Sequence, residues 1–328
     1  MRWIPVVLLL SFLCYSCRIN TGSGKDTATD SMLPDHPYLV VLGTAQDGGV
    51  PQAGCTKACC EDRWDHPEEK LLVACLGIVD PVSSECWMVD ATPDFPQQMH
   101  DLLRFLPGSG KTLVDGIFLT HGHIGHYTGL VYLGREAMGA HQVPVYAAPG
   151  MQTFLTQNGP WDLLVRLENI KIRNLHPNQP MQLNERIRVM PVPVPHRGEY
   201  TETMALQISS GDQSVLYIPD IDRWEDWDLD ILDQIKTHTQ LIIDGTFYSG
   251  EELPGRDMSE IPHPTIRHSM ELFINLSDED RAKIHFTHFN HTNPVLNMDG
   301  EAYQKLIKAG FNIVHEGEII AFKGAFSP

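Results

Sequence analysis

The sequence predicts an α/β fold in which two β-sheets pack face to face and helices cover their outer sides. Short strand-like runs alternate with helical stretches between residues 37 and 328, and few glycine- or serine-rich linkers interrupt them. The chain has 328 residues, and 42% of them are hydrophobic, which is enough to bury a large core. We therefore predict a single domain over residues 37–328.

The hydrophobic pattern places the individual elements of this domain. Strands are predicted where apolar residues run or alternate between turn residues, at 38–42, 71–79, 86–89, 143–147, 169–175, 187–194, 204–209, 214–218, 241–244 and 283–287. Helices are predicted from the spacing of apolar residues near 94–106, 130–138, 151–157, 265–275 and 301–309. The last stretch, 311–322, is predicted to form a β-hairpin.

The N-terminal segment predicts export and is not part of the fold. Arg2 gives a positive start, and the apolar run that follows is too short to span a bilayer. Residues 1–17 end in Ser16-Cys17 and resemble a bacterial lipoprotein signal in which Cys17 is acylated, with plain secretion as the alternative. Residues 18–36 are rich in Gly, Ser, Thr and Asp and predict a flexible tether. The expected location is a bacterial membrane, facing the periplasm or the cell exterior.

The charge balance argues against nucleic acid as a partner. The chain has 24 basic and 42 acidic residues, a formal net charge of −18, and no Lys/Arg cluster. Such a surface repels phosphate backbones. The expected partners are a small-molecule substrate and, through the lipid anchor, the membrane, while the sequence leaves the oligomeric state open.

Three histidines follow a short apolar strand at a spacing typical of metal sites. Residues 117–120 have strand character, and His121, His123 and His126 come within the next six positions. Because side chains two positions apart in a strand point the same way, His121 and His123 can bind one ion. His126 falls where the chain turns into a helix, so it points to a neighbouring position. Imidazole is the commonest protein ligand for metals such as zinc and also suits iron.

Three further metal-type ligands stand at strand ends. The residues just beyond the ends of three predicted strands are His196, Asp220 and His288. Strands that end in such residues place several ligands along one edge of a pair of packed sheets. Together with the first three histidines, they predict a metal centre of one or two ions.

Cys55, Cys59 and Cys60 form a second cluster, just after a glycine-containing loop. Three cysteines in six positions are consistent with a structural zinc site that takes a fourth ligand such as Asp62 or His66. Unlinked or partly disulfide-bonded thiols are the alternative. Removal of the signal leaves an odd number of cysteines, so a complete disulfide framework is not available.

The combined motifs resemble the metallo-β-lactamase fold, a four-layer αβ/βα sandwich with metal ligands at one edge. The stretch His121-Gly-His-Ile-Gly-His126 is similar to the His-x-His-x-Asp-His signature of that superfamily, except that Gly125 replaces the aspartate. The positions that resemble its later ligand motifs are His196, Asp220 and His288. Asp90 resembles the early aspartate that supports the metal site in that superfamily.

Within the superfamily, the chain most resembles the pyrroloquinoline quinone biosynthesis protein B family. The likeness spans residues 37–322 and includes the cysteine segment, at altered spacing. The other blocks that carry it are 42–52, 193–197, 217–220, 244–246 and 288–294. Two features depart from that family: its members tend to lack the full histidine triad, and a signal with a tether is foreign to a cytosolic cofactor pathway.

The resemblance implies ligands for two metal ions. Those of the first ion are His121, His123 and His196, and those of the second are His126 and His288, with Asp220 shared. Because Gly125 removes a carboxylate from the second position, a single ion is the competing outcome, and Gly125→Asp is expected to raise affinity there. Supporting residues are Asp90, Asp47 and Asn290. Candidate general acids are His263 and His291, and His291 is also a candidate ligand of the second ion.

The predicted function is a metal-dependent hydrolase in which a metal-activated water attacks an ester, amide or phosphodiester bond. Zinc is the expected cofactor, with iron or manganese as alternatives. Because imidazole and carboxylate also suit Fe(II), a non-haem iron oxygenase is a second hypothesis. A lipoprotein that binds metal without turnover is a third.

Overall fold

Two seven-stranded β-sheets form the centre of the structure, a computed structural model that describes residues 33–253, 255–257 and 261–322. The strands are β1 (Tyr38–Gly43), β2 (Cys75–Asp80), β3 (Glu85–Val89), β4 (Gly116–Phe118), β5 (Val143–Ala147), β6 (Ile170–Asn174), β7 (Met181–Gln182), β8 (Ile187–Val194), β9 (Thr203–Ser210), β10 (Gln213–Ile218), β11 (Gln240–Asp244), β12 (Ile284–Thr287), β13 (Asn312–Ile313) and β14 (Ile319–Ala321). The first sheet has the order β14-β1-β2-β3-β4-β5-β6, and the second β13-β12-β11-β10-β9-β8-β7.

Helices connect many of these strands. They are α1 (Glu61–Asp65), α2 (Phe95–Arg104), α3 (Ile124–Tyr127), α4 (Pro149–Gln157), α5 (Trp161–Arg166), α6 (Ile231–Thr237), α7 (Ile266–Phe273), α8 (Asp278–Ala282) and α9 (Glu301–Lys308). Within the described parts of the chain, no helix is long and apolar enough to cross a bilayer.

Each sheet buries one face against the other sheet and one face against helices. Leu39 of β1, Phe118 of β4 and Tyr217 of β10 belong to the apolar layer between the sheets. On the outer faces, α2 buries Phe95 against the first sheet and α7 buries Phe273 against the second. Full burial of each such side chain stabilises the fold by about 1.5–3 kcal/mol. The four-layer αβ/βα sandwich is therefore confirmed.

Two predicted elements are wrong. In place of a helix over 130–138, the chain forms α3 and then a 3₁₀ helix at Thr128–Leu133. The N–H of Gly129 donates to the carbonyl of Ala91 at 2.8 Å, so it does not extend the α-helical hydrogen bonds. The hairpin over 311–322 does not form, because β13 pairs with β12 of the second sheet while β14 pairs with β1 of the first.

Parallel strands deliver polar side chains to one edge of each sheet. In the second sheet β10, β11 and β12 run parallel, and Asp220, Asp244 and His288 stand at or just beyond their carboxyl ends. In the first sheet β3 and β4 are parallel, and Asp90 and His121 follow them. The carboxyl ends of parallel strands are the usual place for ligand sites in α/β sheets.

The predicted signal, residues 1–17, and most of the predicted tether lie outside the described residues. Export and lipid anchoring therefore stay predictions. From Pro34 onward the chain forms one compact unit.

Candidate metal centre

His121, His123 and His196 bring three ring nitrogens together. Nδ1 of His123 lies 3.0 Å from Nε2 of His121 and 3.1 Å from Nε2 of His196. Two nitrogens bound to one tetrahedral zinc, each about 2.1 Å from the ion, are separated by roughly 3.4 Å. The structure thus brings together the ligand set that the resemblance implies for the first ion, at a spacing that suits one metal.

A second group contains Asp47, His126 and His288. Oδ1 of Asp47 lies 3.2 Å from Nε2 of His126 and 3.9 Å from Nε2 of His288. All three atoms are buried, and none makes a hydrogen bond within the described residues. A buried polar atom without a partner is costly, and most in native proteins have one. Three such atoms facing one another therefore fit a bound cation.

Asp220 lies between the two groups and is 2% exposed. Its Oδ2 is 3.0 Å from Nε2 of His126 and 3.2 Å from Nε2 of His288. The same oxygen is 3.5 Å from Nε2 of His121, and Oδ1 is 3.7 Å from Nε2 of His196. One carboxylate is therefore within reach of both groups, as a ligand shared by two ions would be.

The second nitrogen of each imidazole also has a contact. Nδ1 of His126 donates to Asp90 at 2.7 Å, and Nδ1 of His196 donates to Asp222 at 2.8 Å. The remaining contacts are Thr120 Oγ1 to His121 Nδ1 at 3.0 Å, Glu199 to His123 Nε2 at 3.1 Å, and Thr246 Oγ1 to His288 Nδ1 at 2.9 Å. Contacts of this kind fix the tautomer and ring direction of histidines that bind metals.

Two residues of the centre have left-handed backbone conformations. Asp90 has a φ of 70° and His288 a φ of 63°. A non-glycine residue in this region costs about 1–3 kcal/mol, and such strain persists only where surrounding contacts hold the backbone. Oδ1 of Asp90 accepts the N–H of Thr120 at 2.8 Å, and the N–H of Phe289, next to His288, donates to the carbonyl of Thr44 at 2.8 Å. The backbone strain is therefore located at the site.

Electrostatics favour a cation at this centre. Burial lowers the pKa of His121, His123 and His288, so these imidazoles are neutral near pH 7, which is the form that binds metal. Burial also opposes the charge of Asp220, but the neighbouring histidines, His288 and then His196, hold its pKa well below its ordinary value. His126 differs, because the carboxylates of Asp90, Asp220 and Asp47 outweigh the effect of burial and hold its pKa well above its ordinary value. The site therefore combines three neutral imidazoles with an ionised carboxylate and with one histidine whose positive charge a bound metal would replace.

Of the two candidate acids, His263 lies beside the candidate metal ligands. Its Nδ1 donates to Asp244 at 2.8 Å and lies 3.5 Å from Oδ1 of Asp220. Its ring centroid is 5.5 Å from that of His196. Because Asp244 accepts from Nδ1, Nε2 is the nitrogen of His263 that remains for another contact.

His291 lies with the cysteines and not with the histidine centre. Cys55, Cys59, Cys60 and His291 each place a donor atom within 4.8 Å of the others. The sulfurs of Cys55 and Cys59 are 3.8 Å apart, and all cysteines of the described residues are free thiols. Nδ1 of His291 is buried and makes no hydrogen bond within the described residues, which fits a metal ligand. The arrangement matches a Cys₃His zinc site.

The two fourth ligands that the sequence suggests for this cluster, Asp62 and His66, are not in the group of four. Asp62 is an exposed residue of α1, and His66 is exposed with its Nδ1 3.2 Å from Glu68. His291 is the fourth member of the group, because the segment directly after β12 lies next to the loop that carries the cysteines.

Asn290 holds the segment of His288 against the loop of Asp47. Its Nδ2 donates to Oε1 of Gln46 at 3.0 Å. The N–H of Gln46 in turn donates to the carbonyl of Phe289 at 2.8 Å. The supporting roles expected of Asn290 and Asp90 therefore have a structural basis, whereas Asp47 reaches the centre itself.

Sequence reasoning missed several residues that orient the ligands. They are Thr120, Glu199, Asp222 and Thr246. The sequence indicates such residues only by their closeness to a predicted ligand: Thr120 precedes His121, and Asp222 stands two positions after Asp220. Threonines and acidic residues beside loops are common, so this signal alone does not distinguish them.

A family model of the beta-lactamase superfamily domain matches residues 87–289, more than half of the chain. Curated relatives named coenzyme PQQ synthesis protein B are 25% identical in Methylorubrum extorquens (strain PA1) and 26% identical in Ruegeria pomeroyi. Each of these matches covers 85% of this chain and 98% of the relative. The expected likeness to the pyrroloquinoline quinone biosynthesis protein B family is therefore confirmed.

Solved structures show the same fold. Zn²⁺-bound PqqB from Methylobacterium extorquens has a TM-score of 0.73 at 22% identity, over 87% of this chain and 100% of that one. A diphosphatase from the PhnP family has a TM-score of 0.62 at 23% identity, over 87% and 96%. The short form of human tRNase Z has a TM-score of 0.52 at 14% identity, over 87% and 98%. With the family match, this fold shows that the chain belongs to the metallo-β-lactamase superfamily.

Proposed function

We propose that the protein is a hydrolase that uses two metal ions to cleave an ester, amide or phosphodiester bond in a small molecule. The observation that carries the proposal is the position of Asp220, which contacts both groups of histidines. Two-metal sites in hydrolases stabilise both the attacking and the leaving oxygen of a displacement. A shared carboxylate is the feature that distinguishes such a centre from a single metal site.

Zinc is the proposed cofactor, with iron or manganese as alternatives. The proposed ligands of the first ion are His121, His123 and His196, those of the second include His126 and His288, and Asp220 is shared. When bound, the metal polarises the scissile bond and lowers the pKa of a coordinated water to about 7. The chain itself supplies orientation, since Asp90 and Asp222 each hold one ligand ring.

His263 is the proposed general acid. Asp244 fixes its ring next to Asp220, so its second nitrogen can protonate a leaving group without a change of rotamer. The proposal rests on this geometry, which none of the other described histidines outside the ligand set shares.

A non-haem iron oxygenase is the second candidate. Asp47, His126 and His288 make up a two-histidine, one-carboxylate set, which is the ligand composition of many Fe(II) oxygenases. Metal analysis of the protein purified from its natural host separates the two candidates. Zinc favours the hydrolase, and iron with oxygen-dependent turnover favours the oxygenase.

We expect the zinc-loaded protein to hydrolyse at least one class in a panel of generic esters, amides and phosphodiesters. A chelator should abolish the activity, and added Zn²⁺ should restore it. His263→Asn should lower kcat by about 10²–10⁴-fold, the usual contribution of a general acid, and leave the zinc content unchanged. His268→Asn is the matched control, because His268 is exposed on α7 and contacts Glu225. A folded, zinc-loaded protein without turnover on any class would leave the metal-binding lipoprotein as the remaining hypothesis.

We also propose that Cys55, Cys59, Cys60 and His291 bind a structural zinc. Four thiol and imidazole ligands with no open position are typical of structural zinc sites. Such an ion would join the loop before α1 to the segment after β12. Its loss is therefore expected to affect stability.

We propose further that the protein is exported and anchored to a membrane through a lipidated Cys17. The support is the short apolar run that ends in Ser16-Cys17 and the polar tether behind it. Wild-type protein should partition into detergent and show an acylated N-terminus by mass spectrometry, because two or more acyl chains give stable anchoring. Cys17→Ser protein should lose this partitioning and keep its zinc content. Cys17→Ser protein in the membrane fraction at wild-type levels would reject the anchor.

A further inference from the structure

The position at which the superfamily signature has an aspartate is Gly125 in this chain. A side chain has no room there. A Cβ atom built on Gly125 would lie 2.7 Å from Cα and 2.8 Å from Cγ of Asp47, and closer still to Oδ1 of that residue. Contacts this short do not occur between real atoms. Any side chain at position 125 would therefore collide with Asp47 in its present position.

Asp47 fills this space with its own carboxylate. Its Oδ1 is buried and makes no hydrogen bond within the described residues, and the same holds for Nε2 of His126 and Nε2 of His288. Its Oδ2 has a different role, since it accepts from Nε2 of Gln46 at 3.3 Å. The carboxylate thus has one oxygen held by the loop and the other directed to the two histidines.

The loop of Asp47 is fixed relative to His288. The N–H of Gln46 donates to the carbonyl of Phe289, and the N–H of Phe289 donates to the carbonyl of Thr44, both at 2.8 Å. This pair of hydrogen bonds joins the chain directly before Asp47 to the residue directly after His288. The distance between the two candidate ligands is therefore set by backbone contacts and not by side-chain rotamers alone.

We propose that Asp47 is the carboxylate ligand of the second metal ion, supplied from the loop after β1, and that Gly125 is required to make room for it. This inference rests on the proposed two-metal centre and completes its second ligand group. The carboxylate that the superfamily signature places within its histidine motif is here brought in from a different segment of the chain.

The contact between Gly125 and Asp47 contradicts an expectation from the sequence, namely that Gly125→Asp raises affinity for the second ion by restoring a carboxylate. The structure indicates the opposite, because the new Cβ would collide with the backbone and carboxylate of Asp47. We expect Gly125→Asp to displace Asp47 and to weaken binding of the second ion.

The experiment counts zinc in the full-length protein after loading with Zn²⁺ and removal of the excess, and follows binding by calorimetry. Asp47→Asn, which keeps the shape of the side chain, should lose one zinc per chain. The affinity for that ion should fall by more than about 100-fold, because loss of a residue that only hydrogen-bonds to a metal ligand already lowers metal affinity by about 10–100-fold. His288→Ala should lose the same ion. Asp65→Asn, an exposed change on α1, is the matched control and should bind as wild type.

Gly125→Ala tests the second half of the proposal. It adds no polar group, yet it should lose the same single zinc in the wild-type background. In an Asp47→Ala background it should cause no further loss of zinc, because the ligand that it displaces is already absent. Circular dichroism and retention of the zinc held by His121, His123 and His196 show that each variant is folded.

Two results would overturn the inference. One is an Asp47→Asn protein that keeps the wild-type zinc count and affinity while His288→Ala loses an ion. The other is a Gly125→Ala protein that keeps the second ion. Either leaves the proposed hydrolase intact, whereas a wild-type protein without zinc at the whole histidine centre removes both proposals.

Discussion

Replacement of both His121 and His123 by alanine should abolish tightly held metal in the first group and lower hydrolytic kcat/KM by about a thousandfold. The expected loss corresponds to the several kcal/mol by which a metal stabilises a hydrolytic transition state. The fold should survive, because these residues lie just beyond a strand end and not in the apolar layers. Elemental analysis, kinetics and circular dichroism on the same preparations check the three parts of this expectation.

The controls for this experiment separate the two ions. His126→Ala or His288→Ala should remove only the ion of the second group. A double change of the exposed residues His100 and His141 to alanine should leave zinc content and rate unchanged. A wild-type protein that takes up no metal at this centre after reconstitution would contradict both the hydrolase and the oxygenase hypotheses.

Replacement of Cys59 and Cys60 by serine should remove the proposed structural zinc and lower the melting temperature by roughly 3–6 °C. Binding to the folded state alone stabilises it by about 2.7 kcal/mol when free zinc is 100 times Kd. A stability change of 1 kcal/mol shifts the melting temperature by roughly 2–4 °C in domains of 150–250 residues, and by somewhat less in a chain of 328 residues. Thermal unfolding at fixed free zinc, with zinc counted in the same samples, measures the effect.

Two comparisons make this result specific to the cysteine cluster. His291→Ala should reproduce both the loss of zinc and the lower melting temperature, since His291 is the fourth candidate ligand. The His121→Ala/His123→Ala protein should keep the zinc of the cysteine cluster. Titration of free thiols that finds these cysteines oxidised in the native protein would replace the zinc site with a disulfide.

The histidine groups could be predicted because their placement follows local rules. His121 and His123 are two positions apart behind a strand, and His196, Asp220 and His288 each follow a strand end. Such patterns need only the period of a strand and the observation that parallel strands end at a common edge. The two-sheet architecture followed from the same alternation of strand-like and helical runs.

What could not be predicted depends on contacts between distant segments. No sequence pattern near Gly125 indicates that Asp47 packs against it. From the sequence alone, a glycine in the histidine motif indicates only that the carboxylate of the signature is missing. The pairing of β13 and β14 with different sheets is decided by β12 and β1, so the short-range pattern of 311–322 suggested a hairpin instead. The assignment of His291 to the cysteines likewise required the path of the chain after His288.

The contact between Gln46 and Asn290 joins positions that are 244 residues apart, and this separation has a consequence for the order of assembly. The first group of histidines is complete once the chain reaches His196. The second group needs Asp47 and His288 together, and closing so long a loop carries an entropic cost. If the centre binds two ions as proposed, a chain that has not yet been completed as far as His288 could bind at most the first ion. Occupancy of the proposed second site would then report that the whole domain has closed, and the second ion would stabilise the contact between its earliest and latest segments.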